Sequence, residues 1–152
     1  DKMSIILDVI NEFRKYDKYV NVFYNDDNSF YKAYDEVFTF KLPIKIIQPS
    51  KFFINKDRLE CIEKYLENEE IYIPVTIIND EYVIIDGHTR LLAKYNEDFK
   101  MVNVYMDKSD PIIDDLVYMA KENNINHINK CEVISNDDYN TYWNSFLTSI
   151  SE

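Results

Sequence analysis

Residues Pro74–Tyr95 read PVTIINDEYVIIDGHTRLLAKY. Val75–Ile78 is an apolar run rich in β-branched residues, and Tyr82–Ile85 is a second. Asn79-Asp80-Glu81 between them carries turn chemistry, so the pair predicts a β-hairpin. Leu91, Leu92 and Tyr95 then recur at helical spacing, and a helix follows the hairpin. Asp86-Gly87 stands at the junction. It holds the only glycine of 152 residues, where average usage would place about ten.

Working outward, the same reading extends to both sides. Phe38, Phe40 and Leu42 alternate with Thr39 and Lys41, the pattern of a half-buried strand. Pro43 interrupts it and Ile44–Ile47 continues it. Asn55 is the expected N-cap of a helix with Leu59, Ile62, Tyr65 and Leu66 on one face. Val102, Val104 and Met106 predict another strand. Residues 112–123 predict a helix built on Ile112, Ile113, Leu116, Val117 and Ala120. Ser135 is expected to cap a last helix whose stripe of Tyr139, Trp143, Phe146 and Leu147 reads as core. Ile5, Ile6, Val9, Ile10 and Phe13 predict an amphipathic helix over 3–18, followed by a short helix or loop over 19–36. The order is strand, helix, hairpin, helix, strand within flanking extensions. It predicts one α+β domain with a mixed sheet, with a core at 38–107, an N-terminal extension at 1–37 and a C-terminal helical one at 108–152.

Charge narrows the function classes. Seventeen basic residues against 28 acidic ones give a net charge of −11, a field that repels nucleic-acid backbones and anionic lipid. From Asp110 onward, eight acids face two lysines, whereas a DNA-reading helix needs a basic face. No nucleic-acid partner is expected, and no apolar run reaches the length of a membrane span. The start shows no signal-peptide pattern. Cys61 and Cys131 stand far apart without a Cys-x-x-Cys motif, which suits a reducing, cytoplasmic setting. Cys61 falls beside an apolar helical face and reads as core, and His127 has no partner at metal-ligand spacing.

The Asp86-Gly87-His88-Thr89-Arg90 box has its own chemistry. Glycine permits positive φ and close approach to the backbone. The helix it opens begins with N–H groups that its own turns do not satisfy, at the positive end of the helix dipole. That is an anion site before side chains are counted. Arg90, read as an exposed side chain, adds a charged fork for phosphate oxygens. Thr89 adds a hydroxyl, and His88 a group that titrates near neutrality. Asp86 suits a metal ligand, an orienter of His88 or a base. A plain Asp-Gly turn, with His88 as a cap and Arg90 paired to a surface acid, fits the same residues. The scarcity of glycine elsewhere favours a site.

PVTIINDEYVIIDGHTRLLAKYNEDFKMVNVYM, preceded by FKLPIKIIQPSKFFINKDRLECIEKYLENEEIYIPV, resembles the core of the ParB/sulfiredoxin superfamily over residues 38–107. The resemblance implies a strand, an I-x-P-S stretch, a helix and a hairpin leading into a Gly-x-x-Arg box that binds nucleotide phosphates. Sulfiredoxins place a cysteine where this chain has His88, so sulfinic-acid repair is not expected. ParB proteins carry Gly-Glu-Arg-Arg and bind CTP, and here the Glu and first Arg are absent. Asp86, Gly87, His88 and Arg90 match the Asp-Gly-His-His-Arg of free-serine kinases, from which Thr89 departs. The upstream catalytic carboxylate of those kinases has no counterpart near Gln48. Arg58 stands where a basic residue of sulfiredoxins contacts the nucleotide. The implied site is therefore Gly87, His88, Thr89, Arg90 and Arg58 for ATP, ADP or another nucleotide with Mg²⁺. Asp86 or His88 would act as base if a phosphoryl group passes to a small-molecule acceptor. A non-catalytic interaction module that keeps the fold is the alternative.

Overall fold

A computed structural model describes residues 21–24, 30–33 and 38–151. The helix expected over 3–18 lies outside the described residues. Within 19–36, where a short helix or loop was expected, Asn21–Tyr24 (β1) and Phe30–Ala33 (β2) form antiparallel strands, with Asn21 opposite Ala33. Both segments are rich in aromatic side chains, which favour strands, and Asn-Asp-rich sequence separates them.

The central sheet takes Phe40–Pro43 (β3), Tyr72–Ile78 (β5), Glu81–Ile84 (β6) and Met101–Met106 (β7) in the order β3-β7-β5-β6. β7 runs antiparallel to β3 and parallel to β5, and β5 runs antiparallel to β6. The domain is α+β with a mixed sheet. Asn79 and Asp80 close the β5–β6 hairpin with φ of 51° and 65°, the left-handed pair of a two-residue turn matched to strand twist. Central β7 is buried from Val102 to Tyr105, so the expected alternation is absent there. Ile44–Ile46 does not continue β3: it forms a 3₁₀ turn, because Pro43 removes a ladder N–H at the point where the strand would extend.

Past that turn, Gln48 donates its N–H to the Tyr82 carbonyl at 2.8 Å and accepts from Ile84 N–H at 3.1 Å. This bridge carries the chain along β6. Phe53–Asn55 (β4) then pairs in parallel with Glu132–Ile134 (β8). Helix α1 (Lys56–Tyr65) follows, capped by the Asn55 side chain, whose Oδ1 accepts from Asp57 and Arg58 N–H at 3.0 and 3.3 Å. Helix α2 (His88–Asn96) packs on α1. Buried Lys94 joins the two by donating to the Leu66 carbonyl at the end of α1. One core lies among the sheet, α1 and α2, around Ile54, Leu59, Ile73, Leu91 and Val104.

Helix α3 (Ile112–Glu122) and a final helical run build a second core with Val83. That run consists of α4 (Asn136–Tyr139), a wider π turn over Asn140–Asn144, and α5 (Ser145–Ser151). Trp143 packs edge-on to Phe52 at 5.0 Å. The Asn55 amide donates to Asn136 Oδ1 at 2.8 Å. The tail is thus tied to the segment that launches α1. Asn55→Ala removes both the cap and this tie and should cost about 1–2 kcal/mol, read as a lower urea midpoint with an unchanged slope. Among the described residues, no helix is long and apolar enough to cross a membrane.

Candidate functional site

Gly87 is the N-cap of α2 and sits at φ +89°, ψ 24°. Strand β6 ends at Ile84 and α2 begins at His88, so the chain reverses within three residues. Only a residue at ease with positive φ makes that turn without strain. A Cβ built on Gly87 would lie 2.6 Å from Arg90 Nη2, 3.1 Å from Arg90 Nε and 3.1 Å from Ile73 Cγ2. The space that the missing Cβ leaves is filled by the guanidinium of Arg90. The side chain curls back over its own turn and reaches the Tyr72 carbonyl with Nη1 at 3.4 Å. Arg90 is 5% exposed. This differs from the exposed fork expected from sequence, because the hole above Gly87 accepts a flat cation.

Asp86 is half-buried and accepts the Gly87 N–H on Oδ1 at 2.7 Å. It flanks the start of α2. Thr89 and His88 are both buried. His88 Nε2 accepts the Ser50 N–H at 2.9 Å, and the Ser50 hydroxyl donates to the Ile84 carbonyl at 2.8 Å. The imidazole is therefore a neutral acceptor, and its basic nitrogen is engaged by the chain. Burial first, and the charge of Lys51 second, hold its pKa well below the ordinary histidine value.

Arg58, on the first turn of α1, and Asp86 both act electrostatically on Tyr139 of α4. Burial pushes the phenol above its usual pKa, Arg58 pulls it back, and Asp86 raises it further. Tyr139 thus feels the charge of both the α1 cation and the carboxylate at the α2 turn. Its place follows from the β4–β8 pairing, which brings the tail alongside the start of α1. Lys51 closes the group, with its ammonium 4.8 Å from the centre of the Tyr139 ring.

Asp86, Gly87, His88, Thr89 and Arg90 stand together because they are consecutive, and Asp86 and Arg58 both act electrostatically on Tyr139. Lys51, Ser50 and Tyr139 join them without being singled out by the sequence. Ser50 belongs to the I-x-P-S stretch, which was a usable signal. Lys51 reads as one surface lysine among many, and Tyr139 as one member of a core stripe. Among the described residues, no cluster of three or more His, Cys, Asp or Glu side chains is arranged to hold a metal ion. A cavity of about 780 Å³ lined by Ile44, Tyr95, Lys100 and His127 lies at the opposite end of α2. It shares no residue with the Gly87 group, and its size alone does not make it the site.

No protein-family model and no curated protein matches the chain. Among solved structures, protein Atu1540 from Agrobacterium tumefaciens is similar over 64% of this chain and 63% of its own, at 17% identity and a TM-score of 0.48. The C-terminally truncated chromosome-partitioning protein ParB from Caulobacter crescentus, in complex with CTP-γ-S, is similar over 58% of this chain and 53% of its own, at 21% identity and a TM-score of 0.41. The chain thus spans less than two thirds of the length of either.

Proposed function

We propose that the chain is a nucleotide-binding domain whose phosphate site is the Gly87–Arg90 turn. The observation that carries this reading is the position of Arg90. Its guanidinium lies against the Gly87 backbone, so a permanent cation adjoins the N-terminus of α2 in a chain of net charge −11. Helix N–H groups and a guanidinium together favour a phosphate over other anions. Arg58 would reach a second phosphate or the sugar end across Tyr139.

Asp86 fits one ligand position of a Mg²⁺ ion whose other ligands would be phosphate oxygens and water, the usual way in which Mg²⁺ enters a nucleotide site. The ion would neutralise phosphate charge. For phosphoryl transfer to a small acceptor, Asp86 would take the acceptor proton, and His88 would position the turn through Ser50. Binding without turnover needs neither step, so the two readings share one site.

The test is thermal stabilisation by ATP, ADP and CTP with Mg²⁺, since a ligand of the native state raises the melting temperature. Arg58→Ala should weaken nucleotide binding about 30-fold, the worth of one charge-assisted contact, with little change in the ligand-free melting temperature. A nucleotide-insensitive wild-type protein would end this reading.

A further inference from the structure

Lys51 is a cation for which the described residues supply no ion-pairing carboxylate. Three elements face it. From the segment before β8 comes Cys131, whose thiol burial pushes up to about 12, leaving it neutral; its Sγ lies 3.4 Å from the Lys51 carbonyl oxygen. From α4 comes the face of the Tyr139 ring. From α2 comes the neutral imidazole of His88. The charges of Arg58 and Asp86 reach Tyr139 from its other neighbours, and neither is among the groups that shift Lys51. A ring face compensates only part of the lost hydration of an ammonium. Carboxylates are abundant in the sequence, yet among the described residues none pairs with this cation.

We propose that Lys51 is an anion-binding residue of the Gly87 site, whose counter-charge is a phosphate group of the bound nucleotide. This rests on the nucleotide reading above and adds a residue to it. Two further observations agree with it. Ser50, adjacent in sequence, is bonded to His88 at the start of α2, so the Lys51 backbone is fixed relative to the phosphate turn. Burial also lowers the Lys51 amine to about 8, so near pH 8.5 much of it is neutral until an anion arrives. An incoming phosphate restores the charged form because an opposite charge favours it.

The experiment is calorimetry with ATP and with CTP at pH 8.5, in two buffers of different ionisation enthalpy, on wild type, Lys51→Met and Lys51→Arg. A terminal phosphate loses its last proton near pH 6, so proton uptake at pH 8.5 comes from the protein. Wild type should take up a measurable fraction of a proton. Lys51→Met should bind at least tenfold more weakly with no uptake, and its ligand-free melting temperature at pH 7 should equal or exceed that of wild type, because a desolvated charge is gone. Lys51→Arg should retain binding without uptake, since a guanidinium does not titrate there. Wild-type affinity and uptake in Lys51→Met would overturn the assignment of Lys51 and leave the nucleotide site standing. Failure of wild type to bind either nucleotide would overturn both. A large fall in the melting temperature of Lys51→Met would make Lys51 a structural residue instead.

Discussion

Gly87→Ala should lower stability by about 2 kcal/mol and abolish nucleotide-induced stabilisation. Two costs combine. A residue with a Cβ in the left-handed region is disfavoured by roughly 1–2 kcal/mol, and Gly87 sits at φ +89°. The new Cβ would also meet Arg90 Nη2 at 2.6 Å and Ile73 Cγ2 at 3.1 Å. The guanidinium is the flexible partner and moves first, so the cation leaves the start of α2. For a chain of this length the melting temperature should drop by about 4–8 °C. Asn tolerates positive φ better than Ala does, but it carries the same Cβ. Gly87→Asn should therefore recover part of the stability and none of the binding. Urea unfolding of wild type, Gly87→Ala, Arg90→Ala and the double variant isolates the contact. Gly87→Ala should cost less in the Arg90→Ala background, because nothing remains there to displace. Strictly additive costs would show that Gly87 and Arg90 are independent.

This alters what the lone glycine means. From sequence, its missing Cβ reads as room for a ligand. In the structure that room is occupied by the chain's own arginine, so the glycine acts by placing a charge at the start of α2. Sequence order could not reveal this, since a helix spacing of three residues does not say whether a long side chain points outward or folds back over its own N-cap.

The hairpin, the helix starting at His88 and the Asn55 cap were legible because each is local. A β-branched run, turn residues at Asn79-Asp80 and a capping side chain act within a few residues of themselves, although the turn closes with two residues and Glu81 already belongs to β6. β4 and β8 were not legible: each is three residues long, and they pair across nearly 80 positions, so no periodicity marks them. The same contact shapes the surroundings of the candidate site. It brings Tyr139 within the fields of Arg58 and Asp86, and it sets the Lys51 ammonium against the Tyr139 ring. The box residues are consecutive in the chain, while Tyr139 comes near them only once the tail has docked. The 3₁₀ turn at Ile44 follows the same logic in reverse: Pro43 was visible, but its consequence depended on where β7 stops pairing.

Stability should fall steeply as pH drops below about 6.5, and His88 should be the main cause. In the unfolded chain an imidazole gains its proton near 6.5. In the folded protein, burial and the Lys51 charge keep His88 neutral well below that value. Below 6.5 the unfolded state therefore binds a proton that the native state does not, and acid favours unfolding by up to about 1.4 kcal/mol per pH unit. Above neutrality both states hold the neutral ring and this contribution is constant. Protonation would also cost the bond from Ser50 N–H, because an imidazolium nitrogen cannot accept. His88→Gln replaces the acceptor with an amide oxygen that does not titrate. Its stability at pH 7.5 should fall modestly, while its decline between pH 6.5 and 5 should be much shallower than in wild type. What remains belongs to His127, whose pKa is lowered more gently at a partly open position, and to the carboxylates. Lys51→Met separates the two causes at His88: with the charge removed and the burial intact, the acid decline should soften without disappearing. Unfolding midpoints measured every half pH unit for the three proteins decide it. Identical acid limbs in wild type and His88→Gln would show that the imidazole accepts its proton in the fold. Nε2 would then be available to a substrate, and His88, rather than Asp86, would be the base at the turn.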